Sequence, residues 1–260
     1  MISELCFFSS LLAPHSSLLA LDWSIFGQPA FDGSGNYFTF LLVGLGWTVL
    51  LSFTAFALAL VVGFLVGVLR TVPSATLRAI AFGYTELFRN VPLLVQLFCW
   101  YFVFPEVVPV VGPWVKEAVS PLGQQIAASC LCLGLFTSSR VAEQVRAGLE
   151  PLLSRQSLAG LALGLPLRDV YGLVLLPITY RTLVPTLTSE FVNTVKNSAV
   201  ASTIGMVELA RQSQQLGEFT AHWYESFIAV TLLYALLNGA IILFSRWLER
   251  RWRIAGTIGK

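Results

Sequence analysis

The chain has 260 residues, of which 56% are hydrophobic and 12% charged. A soluble domain carries about 25% charged residues, so half of the usual polar skin is missing, in agreement with a mean hydropathy of +0.75. The aromatic content (19 Phe, 7 Trp, 7 Tyr) excludes disorder, and a net charge of +2 with no block of like charges argues against a nucleic-acid partner, leaving an integral membrane protein.

Residues 1–36 read as a periplasmic N-terminal extension. Leu5 to Leu21 is uncharged, but Pro14 and His15 interrupt it, and it has neither the basic start nor the small-residue cleavage site of a signal peptide. A weak sixth span is the alternative. A transmembrane helix needs roughly 20 mostly apolar residues, and Tyr37 to Leu69 meets this with no charge at all. About Leu77 to Pro105 follows, interrupted by Glu86 and Arg89. Ala118 to Ser139 is again uncharged, about Thr182 to Val207 carries Glu190 and Lys196, and about Trp223 to Ser245 closes the series. An all-α domain of five core spans is therefore expected over 37–253, with a cytoplasmic tail at 254–260.

Lys and Arg stay on the cytoplasmic side of a membrane. With the N-terminus outside, the cytoplasmic segments hold 12 of the 16 basic residues and the outer ones only Lys116 and Arg211, which predicts N-out, C-in. The stretch Arg140 to Tyr180 is then the only cytoplasmic loop long enough to fold on its own. Ser154 is suited to cap a helix start, Gly164 to end it in the left-handed conformation, and Pro166 to prevent continuation. Leu158, Leu161, Ala162 and Leu165 make a helical stripe between them, and a second short helix is expected from Pro166 to Pro177. Two stubby helices so placed either lie against the membrane or form a docking knob for a soluble partner.

Catalytic chemistry is poorly supplied. Gly256 to Lys260 has the wrong spacing for a phosphate loop and no helix behind it. His15 and His222 both fall on the outer side, and Cys6, Cys99, Cys130 and Cys132 show no zinc or CxxC spacing, so no metal site is indicated.

Four ionisable residues lie within spans, and insertion scales set each at about 2.5–3.5 kcal/mol near the bilayer centre, so they must pair or face water. Glu86 and Arg89 share a helix face, Gln96 shares it again, and Asn90 lies one turn from Glu86. Pro92 cannot donate to the carbonyl of Phe88, so a bend with a free acceptor is expected there. Glu190, Asn193, Thr194 and Asn197 fall on one arc with Lys196 on its flank, and both patches reach mid-bilayer depth. Ion pairs such as Glu86–Arg89 and Glu190–Lys196, tying spans or subunits together, are one reading. The other is a polar solute site around Pro92: a guanidinium grips a carboxylate and a carboxylate holds an ammonium, which suits a zwitterion.

The string Tyr84-Thr-Glu86-Leu-Phe-Arg89-Asn-Val-Pro92-Leu-Leu-Val-Gln96-Leu-Phe98 resembles the signature of the polar amino acid permeases of bacterial ABC importers. Leu158-Ala159-Gly160, Gly164 and Val174-Leu175-Leu176-Pro177 are similar to that family's coupling loop, although its usual Glu is Leu158 here and its second Ala is Gly160. Lys196-Asn197-Ser198-Ala199, with Val141 to Arg146, is most similar to the glutamate/aspartate branch. The resemblance implies the type I ABC importer permease fold in the bacterial inner membrane and a pair of permease subunits, alike or different. Two cytoplasmic ATP-binding subunits would bind ATP and Mg, and a periplasmic solute-binding protein would deliver the substrate. No cofactor and no catalysis are implied for this chain. Glu86 would hold the substrate amino group and Arg89 its carboxylate, with Asn90, Gln96 and Asn197 beside them. Pro92, Glu190, Asn193 and Lys196 would lie on the pathway or subunit interface. Leu158, Ala159, Gly160, Leu161, Gly164, Leu165 and Pro166 would meet the ATPase. A permease for another amino acid (glutamine, histidine or arginine) is the first alternative; an ion-coupled secondary transporter, with Glu86 or Glu190 relaying protons, is a further rival, but it needs no docking loop.

Overall fold

The computed structural model describes residues 21–108 and 118–251. The expected N-terminal stretch up to residue 20 and the tail at 254–260 lie outside the described residues, as does Lys116 of the charge count. Within the described part the chain is helical apart from its connections and one isolated bridge, Pro29 to Asn36.

Helix α1 is Tyr37–Leu69, the whole predicted first span. The Asn36 side chain opens it by accepting from the Thr39 amide at 2.9 Å, one of the donors that a helix start leaves open. Helix α2, Ala75–Asn90, ends because a residue before proline is pushed into extended backbone: Val91 has ψ 129° and Pro92 ψ 138°. Helix α3 starts at Leu93 and runs through a π-helical turn, Cys99–Val103, to Val107. The expected bend is thus a full break, and the axis turns by 102° across it.

Helix α4 corrects the reading of the cytoplasmic stretch. It runs without interruption over Pro121–Ala162, so the third span does not stop at Ser139 and Ser154 is no cap but an interior position. The reason is visible in the packing. Val141, Val145 and Leu149 are all buried at helical spacing, so one apolar stripe carries on through the predicted boundary. Ser157, further along, donates its hydroxyl back to the Leu153 carbonyl instead of ending the helix. The second stubby helix also dissolves into its neighbour. After Pro166 a short turn, Leu167–Asp169, and a π-helical stretch, Val170–Leu175, lead straight into helix α5, Leu176–Asn197. Pro177 lies inside this continuous helical run, which goes on past the expected stop and bends by 57° a turn later, between Tyr180 and Thr182.

A 3-10 segment, Ser198–Ile204, closes on Gly205 at φ +81°. Helix α6 is Leu209–Thr220 and helix α7 is Trp223–Arg251. Among the described residues three helices are long and apolar enough to cross a bilayer, Tyr37–Leu69, Pro121–Leu153 and Trp223–Leu248. Two bent pairs, Ala75–Asn90 with Leu93–Val107 and Leu167–Tyr180 with Thr182–Ile204, bring the crossings to five if each counts as one.

In lipid, burying an apolar side chain gains little, and helices associate through close packing of small residues. The α1–α4 contact is built this way. A Cβ on Gly63 would lie 2.8 Å from the Ser138 carbonyl oxygen, and one on Gly67 2.8 Å from that of Ala142, so two glycines a turn apart let the backbones touch.

Glu208, counted among the outer acids, is fully buried. It caps α6 by accepting from the amides of Ala210 at 2.9 Å and Arg211 at 2.7 Å, and it accepts from the Tyr234 hydroxyl of α7 at 3.0 Å. Burial pushes its carboxyl above the ordinary range, against the pull of those donors. Glu208→Ala removes a cap and strands the tyrosine hydroxyl, so a loss of about 2–4 kcal/mol is expected. Thermal unfolding of the detergent-solubilised protein, followed by size exclusion, checks it.

Candidate functional site

The break between α2 and α3 exposes two backbone acceptors, the carbonyls of Phe88 and Val91. The Gln96 side chain reaches back one turn and donates its amide to both, at 2.9 and 2.8 Å. The acceptor freed by Pro92 is therefore satisfied within the chain. Gln96 is 6% exposed, and its side-chain oxygen has no partner; that oxygen is all it has left to offer a solute.

One turn earlier, Glu86 accepts from the Asn90 amide at 2.9 Å. The expected Glu86–Arg89 pair does not form. Arg89 instead turns toward α4, where its Nη1 lies 3.4 Å from Glu143. Glu143 also accepts from Arg70, which follows α1, and from Arg146 Nε at 3.1 Å. Arg70 is held further by the Thr85 hydroxyl at 2.9 Å and lies over the Phe82 ring. Burial and the neighbouring Arg146 lower the Arg70 pKa from the ordinary arginine value, yet a guanidinium so displaced remains a cation at physiological pH. The Arg89 side chain stays 45% exposed, against 11% for Arg70, so it is the loose member of this cluster.

The α2–α3 backbone passes beside the uncharged part of α4. The Tyr84 hydroxyl meets Ser138 at 2.6 Å and Cys132 Sγ lies 3.7 Å from the Leu93 carbonyl. From there the Arg89 head reaches along α4 to Glu143, beside Arg70 at the end of α1.

The second patch is also paired differently from expectation. Glu190 is buried and accepts from Arg140 Nε at 2.8 Å, Arg140 Nη2 at 3.2 Å and Gln144 at 2.9 Å. Lys196, its expected partner, is exposed. The reason is the length of α4: read as a loop, Arg140 and Gln144 were unavailable to α5, whereas as helix they face it. Thr194 meets Thr137 across the same contact at 3.3 Å, and Asn193 is half-buried on the flank. Asn197 does come beside α3. It lines a crevice with Leu93, Leu97, Ser129 and Cys132 that is too narrow for a water molecule. On the other side of the break an open apolar groove of about 400 Å³ is lined by Val91, Gln96, Trp100 and Phe104.

At the far end of α4 the chain turns back at Leu163–Pro166. Gly164 has φ +82°, and the Leu165 amide bonds the Gly160 carbonyl at 3.1 Å, the six-to-one closure of a glycine-ended helix. A Cβ on Gly160 would press on Val170 at 2.9 Å, so the glycine found where the motif has alanine lets this elbow close. Leu158, Leu161 and Leu163 are exposed, the last by 83%, as is Ala159. Leu165, expected on the docking stripe, packs inward on the Val145–Leu149 cluster instead.

Sequence reasoning missed Arg70, Glu143, Arg140 and Gln144 as partners. The signal was present in the stripe of Val141, Val145 and Leu149, which marks residues 140–150 as helix.

The sequence matches the family described as binding-protein-dependent transport system inner membrane component over residues 59–254. It is 47% identical over 239 residues to the glutamate/aspartate import permease protein GltJ of Escherichia coli K12, covering 92% of this chain and 97% of that one. The arginine transport system permease protein ArtQ of Bacillus subtilis is 27% identical, covering 82% and 92%. A solved amino acid ABC transporter with histidines shares the fold, with a TM-score of 0.69 at 24% identity over 83% of this chain and 95% of that one.

Proposed function

The chain belongs to the family of binding-protein-dependent transport system inner membrane components, and from that membership we propose that it is the permease subunit of an ATP-driven importer for acidic amino acids. It is a multi-pass protein of the inner membrane. Its substrate is glutamate or aspartate, the pair named for a relative with 47% identity along nearly the whole chain. Glutamine is the second reading, since a neutral Asn197 beside Lys196 suits an acidic or an amide substrate alike.

The observation that carries the proposal is a half-exposed guanidinium, Arg89, one turn from the Glu86 carboxylate at a broken helix. Arg89 takes the substrate carboxylate and Glu86 the ammonium, with Asn90, Gln96 and Asn197 supplying further polar atoms. The narrow crevice at Asn197 has no room for an amino acid, so α3 and α5 separate during transport, as alternating access requires. A second permease subunit, alike or different, closes the open groove beside Gln96. The termini lie N-out and C-in, by the distribution of basic residues.

Catalysis is left to others. Two ATP-binding subunits carry ATP and Mg and seat the exposed leucines of the elbow, and a periplasmic binding protein delivers the substrate. Reconstituted with these partners, the complex should hydrolyse ATP faster with glutamate or aspartate than with glutamine or arginine; equal stimulation by arginine overturns the substrate class. Asn197→Asp is expected to shift uptake away from glutamate, measured by competition between labelled amino acids.

A further inference from the structure

Glu143 gathers three guanidinium groups on one carboxylate, and they are held unequally. Arg70 is nearly buried and bonded to Glu143 and Thr85; Arg146 lies at 3.1 Å; Arg89 stands at 3.4 Å with 45% of its side chain exposed. If Arg89 leaves, Glu143 keeps two cations, so its partly buried charge stays compensated and the release is cheap. We propose that Glu143 is an internal stand-in for the substrate carboxylate, a positioning residue that holds Arg89 while the site is empty and yields it when an acidic amino acid arrives. The inference rests on the reading of Arg89 as the carboxylate ligand.

The magnitudes favour an exchange. A half-exposed pair at 3.4 Å is worth little, whereas a substrate carboxylate can take both arms of the guanidinium fork. Because Arg89 belongs to the chain break and Glu143 to α4, the exchange also loosens a bond between these two elements each time substrate binds.

The test uses the complete permease–ATPase complex in detergent and equilibrium binding of labelled L-glutamate. Glu143→Gln is expected to tighten binding about two- to fivefold, the reach of an exposed pair. Glu150→Gln, which touches only Arg146, serves as the control with unchanged affinity. Since Glu143→Gln alone deprives Arg70 of its partner, the double variant Arg70→Gln/Glu143→Gln is measured beside it and should show the same gain. In an Arg89→Gln background, Glu143→Gln should change nothing. Unchanged or weaker binding in either assembled variant, while Arg89→Gln itself weakens binding, overturns the stand-in but leaves the site. Wild-type affinity in Arg89→Gln overturns both.

Discussion

Gly67→Leu is expected to leave no assembled permease in the membrane. A side chain at this position meets the backbone carbonyl of Ala142 at 2.8 Å and Val145 at 2.6 Å, and a backbone cannot swing aside as a flexible side chain can. The helices α1 and α4 must therefore part along their main contact, and lipid offers no hydrophobic gain to draw them together again. Even Gly67→Ala should cost about 1–3 kcal/mol, the usual range for overpacking, and Gly63→Ala/Gly67→Ala clearly more. Thermal unfolding in detergent gives the alanine values, and the yield of monodisperse protein reports on the leucine. By contrast Gly46→Ala, a glycine of the same helix with nothing within 4 Å, should behave as wild type.

Arg89→Gln should reduce uptake of glutamate by about a hundredfold, the consequence of removing one partner from a desolvated charge pair in the bound state. Assembly should be spared, since the Arg89 side chain is half exposed and Glu143 retains Arg70 and Arg146. Arg89→Lys should recover only part of the loss, because an ammonium keeps the charge without the two-armed geometry. Uptake into proteoliposomes, scored against the amount of complex recovered, checks both. A deficit that merely follows the amount of recovered complex would assign Arg89 a structural role.

The first span was legible to the residue, because nothing but apolar periodicity and length decides where an uncharged helix lies. The break at Pro92 was legible too, since proline acts on its immediate neighbours. What composition could not supply was partners across space. Gln96 looked like a ligand on its helix face, yet its amide fills the gap that Pro92 itself creates, eight residues back at Phe88. Glu190 was matched with Lys196 because both lie on one helix, while its real partners, Arg140 and Gln144, come from a segment that charge alone had marked as loop. Charged residues ended the third span in the reading of hydropathy; in the structure they are neutralised in place by Glu190 and Glu143, so the helix had no reason to stop. The glycine pair at 63 and 67, three residues between, was the one overlooked sequence pattern that announces close helix packing.

The uninterrupted run of α4 has a mechanical consequence. At about 1.5 Å per residue its 42 residues measure roughly 63 Å, against about 40–45 Å for a bilayer with its headgroups. Its contour therefore exceeds the thickness of the lipid by some 20 Å, with the bare leucines at one end, while the half around Ser138 and Cys132 is bonded to the fracture in the neighbouring span. Between the glycine contact and the leucine end stands Pro151, which has no N–H to give the preceding turn, so the shaft has a point of give there and is not one unbroken lever arm.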